Sequence, residues 1–250
     1  MLCPDCSGKA SSNQRTGGAR RFLRIPGTAT PVVTYTLIGI NVFIYLLQLI
    51  PGLNLTAALL YSPYYSLAEF ASAGAPYEPW RMVTSMFAHS PSSFLHILFN
   101  MFTLWMFGQA LESMLGRAKF LALYFISGLA GSLGVLYFDL ALGLEFNSVV
   151  GASGAIFGLM GAYLVILRHL GGNSTSLLVL LVINVVISFL PGSNLSWQAH
   201  VGGLIGGAVV GLIYARTRER SKKRLQLGLI ACVVAVEIVA ALAHAPIFVG

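Results

Sequence analysis

"VVGASGAIFGLMGAY", residues 149–163, has the apolar run of a membrane helix, yet it sets Gly151, Gly154, Gly158 and Gly161 around a single serine, Ser153. Small residues at this spacing let two helix backbones approach closely. The serine has two readings. In a glycine-rich membrane helix it is ordinarily packing material, hydrogen-bonded to its own helix. With a base in reach it is a nucleophile.

The rest of the chain supports a membrane helix here. Of its 250 residues, 56% are hydrophobic and 9% charged, and the mean hydropathy is +0.79. That is more apolar surface than one soluble core hides. Seven apolar runs recur, at about 32–50, 93–112, 119–139, 151–167, 176–190, 198–215 and 226–244, each near the ~20 residues that span a ~30 Å hydrocarbon core. The expected fold is an all-α polytopic membrane protein. The polar, basic first thirty residues lack the short apolar segment of a cleavable signal, so the first span is expected to direct insertion.

Charge sets the orientation. Fourteen of the fifteen Lys and Arg residues fall at ends of spans that share one side: Lys9 to Arg24, Arg117, Lys119, Arg168, and the cluster from Arg216 to Arg224. Arg81 alone falls opposite. The positive-inside rule then places the N-terminus in the cytoplasm and the C-terminus outside. The net charge of +7 is thus explained by topology, with no nucleic-acid partner implied.

Residues 1–31 form a polar tail whose one motif is "CPDC". Cys3 and Cys6 have the spacing of half a zinc ribbon, but tetrahedral zinc needs four ligands. The two readings are a reduced, unstructured tail and a metal site completed across a dimer; no metal or cofactor is assigned. Between the first two spans lies a long connection, residues 51–92, with Tyr61, Tyr64, Tyr65, Phe70, Tyr77, Trp80 and Phe87. Its length marks it as functional, and its rings suit the headgroup region.

Polar groups at membrane depth are costly and therefore informative. Four stand out. His96 and Asn100 lie one turn apart in "SSFLHILFNMF", Ser153 opens the fourth span, and His200 lies in "SWQAHVGGLIGG". Counted up from Arg117, Arg168 and Arg216, Asn100, Ser153 and His200 rise about 25, 22 and 24 Å at ~1.5 Å per residue. They share one level. Gly203, Gly207 and Gly211 form a stripe at successive i+4 steps, which brings the fourth and sixth spans into contact. His200 lies on that stripe and Ser153 adjoins Gly154, so hydroxyl and imidazole are expected ~3 Å apart. Taken singly each has a plainer reading: a histidine near a helix mouth is usually interfacial, and an asparagine is interhelical glue worth about 1 kcal/mol. The combination at one depth favours chemistry.

Other residues carry less. His89 and Arg81 read as anchors of the loop, and Glu112 with Gly116 as the closure of the second span. His169, Glu237 and His244 receive no catalytic role.

The chain resembles the rhomboid intramembrane serine proteases. The resemblance covers most of residues 75–215 and rests on "WR" (Trp80, Arg81), "HILFN", "ESMLG", "GASG" and "AHVGGLIGG" in that order. It implies a six-helix core with Ser153 as nucleophile and His200 as general base. It also implies that Asn100, His96 and the Ser153 N–H hold the oxyanion, while Gly151, Gly154, Phe157, Gly203 and Gly207 support them. Some relatives carry tyrosine where Phe157 stands; the ring still packs on His200, but a hydroxyl is lost. The span after "RTRERSKKR" resembles the six-plus-one arrangement of some members, and the "CPDC" tail resembles the end of a zinc-binding extension.

The expected domains are a tail (1–31), a six-span catalytic core (32–215), a basic linker (216–225) and a seventh C-terminal transmembrane helix (226–250). The expected function is a serine endopeptidase in the lipid bilayer, implied by the family to be a bacterial plasma membrane, cutting single-span proteins near its outer face. A non-catalytic relative that escorts membrane proteins is the alternative. A transporter would show discontinuous half-helices, membrane-buried charges or an inverted repeat, and the core spans show no inverted repeat and no charged cluster. Substrate identity and oligomeric state have no signature in the sequence.

Overall fold

The computed structural model describes residues 30–74, 76–189 and 195–245, and the fold is that of the unit beginning at Pro31. The tail with Cys3, Cys6 and the basic residues Lys9 to Arg24 lies outside the described residues, as does Leu190 at the end of the fifth expected span.

Seven long helices are present among the described residues: α1 (Val32–Gln48), α2 (Phe94–Leu115), α3 (Arg117–Leu142), α4 (Ser153–His169), α5 (Thr175–Ser188), α6 (Trp197–Arg216) and α7 (Lys223–Leu242). Every boundary falls within three residues of the expected span. Four of them, α2, α3, α6 and α7 with its preceding turn, are long and apolar enough to cross a membrane, and α1, α4 and α5 are apolar but shorter.

The shortening has local causes. At Gly151 the backbone turns to φ 127°, a conformation that L side chains rarely adopt, so α4 cannot begin before the residues that follow it. α1 ends at Gln48, whose amide is drawn onto the loop: it donates to the His89 carbonyl at 2.9 Å and accepts from the His89 N–H at 2.9 Å. Gly116, at φ 82°, is the single residue between α2 and α3. Ser196 caps α6 by accepting from the Ala199 N–H at 3.2 Å, which satisfies one of the unpaired donors of that end.

α4 and α6 make the most extensive helix contact, and α3 closes against both. The glycine stripes are the reason. A Cβ on Gly203 would stand 2.0 Å from the Gly154 carbonyl oxygen, and one on Gly207 2.0 Å from that of Gly158. Both obstacles are backbone atoms that have no rotamer to change. α3 joins the seam in the same way: a Cβ on Gly134 would meet the Gln198 carbonyl at 2.5 Å, and one on Gly131 the Gly154 Cα at 3.2 Å. The reading of the sequence had paired only the fourth and sixth spans.

Glu112 closes the end of α2 against the start of α1. Its buried carboxylate accepts from the Val33 N–H at 3.0 Å, the Thr34 N–H at 2.8 Å and the Thr34 hydroxyl at 2.8 Å. An anion on the first free amides of α1 also complements the helix dipole.

The connection 51–92 packs inward more than its aromatic content suggested. Tyr64 and Trp80 are exposed, in keeping with an interfacial position, but Tyr61, Met82, Ala88 and His89 are fully buried. Arg81 donates to the carbonyls of Ala57 (2.6 Å) and Leu60 (3.3 Å), pairs with Glu78 and lies 4.1 Å over the Tyr65 ring. Arg81 thus ties the loop to itself, whereas the Trp80 ring lies on the surface. α7 is fastened where the Ala68 N–H meets the His244 carbonyl at 2.9 Å and the Tyr137 hydroxyl meets the Ala240 carbonyl at 2.9 Å.

The packing predicts a sharp contrast between glycines. Gly207→Val is expected to lower stability by at least the ~1–3 kcal/mol of ordinary overpacking. Gly228→Ala on α7, where a Cβ meets nothing within 4 Å, is expected to leave it unchanged. Thermal unfolding in detergent checks both, and equal melting of the two variants would contradict the seam.

Candidate active site

The start of α4 is held from outside by the long loop. Tyr61 and Val149 form an isolated antiparallel bridge, with N–H to carbonyl distances of 3.1 and 2.7 Å, and the Gly151 N–H donates to the Ser85 carbonyl at 2.9 Å. These bonds fix the turn that delivers Ser153 at the first position of α4. No helical turn precedes it, so the carbonyl to which a packing serine would bond is missing. The first amides of a helix also have no partner within the helix and point out of it.

His96 and Ser153 meet around that turn, with Asn100 bonded to His96. A Cβ placed on Gly151 would lie 2.9 Å from His96 Nε2 and 3.7 Å from Ser153 Oγ. The glycine therefore leaves open the space those two atoms face. Asn100 is buried and donates from Nδ2 to the His96 carbonyl at 2.8 Å, which leaves its second N–H for another acceptor. His200 is buried on α6, its ring stacked on Phe157 at 4.0 Å and 8°. Gly154 and Gly203, in the seam, set how close the two helices stand.

The two imidazoles are held through Nδ1 by different partners. A backbone N–H can only donate, and that of Ser90 points at His96 Nδ1 at 3.3 Å. Neutral His96 therefore carries its proton on Nε2, the atom beside Gly151. On His200 it is Nδ1 that is engaged, 2.7 Å from Ser188 Oγ. The Ser188 hydroxyl also reaches the Asn184 carbonyl at 2.9 Å. In the Nδ1–H tautomer of His200, Nε2 keeps its lone pair. Among the described residues no hydrogen bond joins Ser153 to His200, so the expected ~3 Å contact is not made in this conformation.

Two residues gain importance beyond the sequence reading. Ser188 was passed over, since a serine in an apolar helix carries no signal until its neighbour is known. His89 was read as an interfacial anchor, but it is fully buried, clamped through its backbone by Gln48 and packed 5.2 Å from the His96 ring. Gln198 donates to Asp139 at 2.9 Å and pins the start of α6 to the end of α3.

A helical membrane bundle with a serine at a helix start, a histidine across the turn from it and a second histidine buried on the helix packed against it defines a recognisable class. A family model described as the rhomboid domain matches residues 76–217. YdcA of Bacillus subtilis, described provisionally as a rhomboid protease, is 37% identical over 147 residues, covering 57% of this chain and 71% of its own. The rhomboid protease GluP of Bacillus subtilis is 34% identical over 185 residues, 71% of this chain and 34% of its own. The mitochondrial rhomboid protein 1 of Saccharomyces cerevisiae is 29% identical over 205 residues, 77% of this chain and 56% of its own. This chain belongs to the rhomboid family. It spans about a third of GluP and about half of the yeast protein.

Burial, with His96 beside it, lowers the pKa of His89 to about 3. The unfolded histidine titrates near 6.5, so below that pH the unfolded chain binds a proton that the folded chain refuses. Stability is fully present above about 6.5 and falls as pH drops toward 3, by up to about 1.4 kcal/mol per pH unit for this one group. His89→Gln is expected to flatten the acid side of the profile. Melting curves from pH 7 to pH 4 check this, and an unchanged slope would contradict it.

Proposed function

We propose that this protein is an intramembrane serine endopeptidase with a Ser153–His200 dyad. The observation that carries the proposal is the Gly151 turn, which brings His96 Nε2 and Ser153 Oγ to one space while His200 lies buried on the helix packed against α4. A donor and a base are what acyl transfer from a serine requires. The rhomboid domain match and the relatives named as rhomboid proteases support the same reading.

In the proposed reaction Ser153 Oγ attacks the scissile carbonyl carbon while His200 Nε2 takes its proton. The carbonyl oxygen becomes an oxyanion, held by the Ser153 N–H, the free N–H of Asn100 and His96 Nε2–H. The C–N bond then breaks, and His200 returns the proton to the leaving amine. Water, deprotonated by His200, attacks the acyl-enzyme and releases the new carboxylate and Ser153. The Ser153–His200 hydrogen bond forms on this account as the substrate seats, as catalytic hydrogen bonds commonly do.

The substrate class is single-span membrane proteins, cut near the outer face, where an unwound segment bares its carbonyls. An intact helix hides them in its own hydrogen bonds. The N-terminus faces the cytoplasm and the C-terminus the outside, on the strength of the basic residues at span ends, and the family resemblance suggests a bacterial plasma membrane. The six-span core carries the chemistry, and α7 is an addition to it.

Ser153→Ala and His200→Ala are each expected to abolish cleavage of a single-span reporter in liposomes. Asn100→Ala and His96→Ala are each expected to lower kcat by roughly a hundredfold, the scale of losing one oxyanion donor. Reporter cleavage at the unaltered rate by the Ser153 or His200 variant would leave the non-catalytic escort as the better reading.

A further inference from the structure

We propose that Ser188 is a positioning residue that fixes the tautomer and orientation of His200; the inference rests on His200 being the base. Three observations carry it. First, Ser188 Oγ lies 2.7 Å from His200 Nδ1, and both residues are almost wholly buried, at 4% and 3% exposure. A hydrogen bond screened from water holds its geometry more tightly than one at the surface. Second, the same hydroxyl oxygen lies 2.9 Å from the Asn184 carbonyl, which can only accept. A hydroxyl carries one proton, so toward Nδ1 the oxygen accepts. That polarity selects the Nδ1–H form and leaves the lone pair on Nε2, the form a base must have.

Third, the Phe157 ring lies parallel to the imidazole at 4.0 Å. Stacking fixes the plane of the ring, and the in-plane bond from Ser188 fixes its rotation within that plane. Neither contact alone does both.

The acids of the bundle do not serve instead. Glu112 binds the start of α1, Asp139 binds Gln198, and Glu237 on α7 lies toward Gly206 of α6; among the described residues no hydrogen bond joins any of them to His200. The third member of the site is therefore a neutral hydroxyl, which orients the imidazole as a carboxylate does in other serine hydrolases without bringing a charge into the bundle. Ser188 ends α5, whose only other buried residue is Leu181. The setting of the base thus depends on the seating of a lightly embedded helix.

The test uses the full chain in liposomes with a single-span reporter and three substitutions, Ser188→Ala, Ser188→Val and Ser188→Thr. Val and Thr match in shape and differ in the hydroxyl, so their comparison separates hydrogen bonding from packing. Ser188→Ala and Ser188→Val are expected to lower kcat about tenfold, the scale of one neutral hydrogen bond, with KM little changed. Ser188→Thr is expected to restore it. In 15N spectra of histidine-labelled protein, with the His200 signal assigned by its loss in His200→Ala, the single Nδ1–H form is expected to give way to a tautomer mixture in the Val variant. A wild-type kcat in the Val variant, equal losses in Val and Thr, or an unmixed Nδ1–H signal in Val would each overturn the role of Ser188. Cleavage by His200→Ala at the normal rate would instead overturn the base assignment, a result the tautomer spectra do not depend on.

Discussion

The structure depends on backbone lying against backbone where α4 meets α6. Gly203 and Gly207 stand so close to the carbonyls of Gly154 and Gly158 that any side chain would force the helices apart. In a bilayer the solvent is as apolar as the side chains, so close packing and interhelical hydrogen bonds must supply the attraction. The same contact sets the proposed site. His200 lies one turn from Gly203 and Ser153 adjoins Gly154, so the distance between helix axes fixes the space between the proposed base and nucleophile. Phe157 fills the next turn and holds the imidazole flat.

A second constraint acts from the loop side. The start of α4 has no preceding helical turn to fix it, and the bonds from Tyr61 and Ser85 take that part. The loop is in turn anchored by Gln48 at the end of α1 and by Ser132, which donates to the Met82 carbonyl at 2.8 Å. Polar side chains are thus used twice in this bundle. Some hold backbone in place, as Gln48, Glu112 and Ser132 do. Others contact the imidazoles, as Ser188 does at Nδ1 of His200.

Much of this is legible in the sequence because it follows from local spacing. Apolar runs near twenty residues mark the helices, and Gly203, Gly207 and Gly211 at i+4 steps mark a face that must meet another backbone. The i+4 placement of His96 and Asn100 puts both on one face. Less legible is whatever depends on a partner distant in the chain. Gly131 and Gly134 sit in a helix with no strict four-residue stripe, and their role appears only when α6 lies across them. Ser188 looks like any serine until Nδ1 of His200 stands 2.7 Å away. The loop's aromatic residues read as interfacial by composition, yet Tyr61 is drawn inside by a backbone bridge to Val149, and backbone pairing leaves no mark on composition.

The central claim is that Ser153 is a nucleophile activated by His200. Labelling of the purified protein with a fluorophosphonate, followed by mapping of the modified peptide, tests it most directly, because the reagent bonds covalently to an activated serine and ignores an inert one. The account predicts one adduct, on Ser153, that forms in the wild-type chain and is lost in His200→Ala. An adduct that forms equally well without His200, or a wild-type chain in which Ser153 stays unmodified, would contradict it.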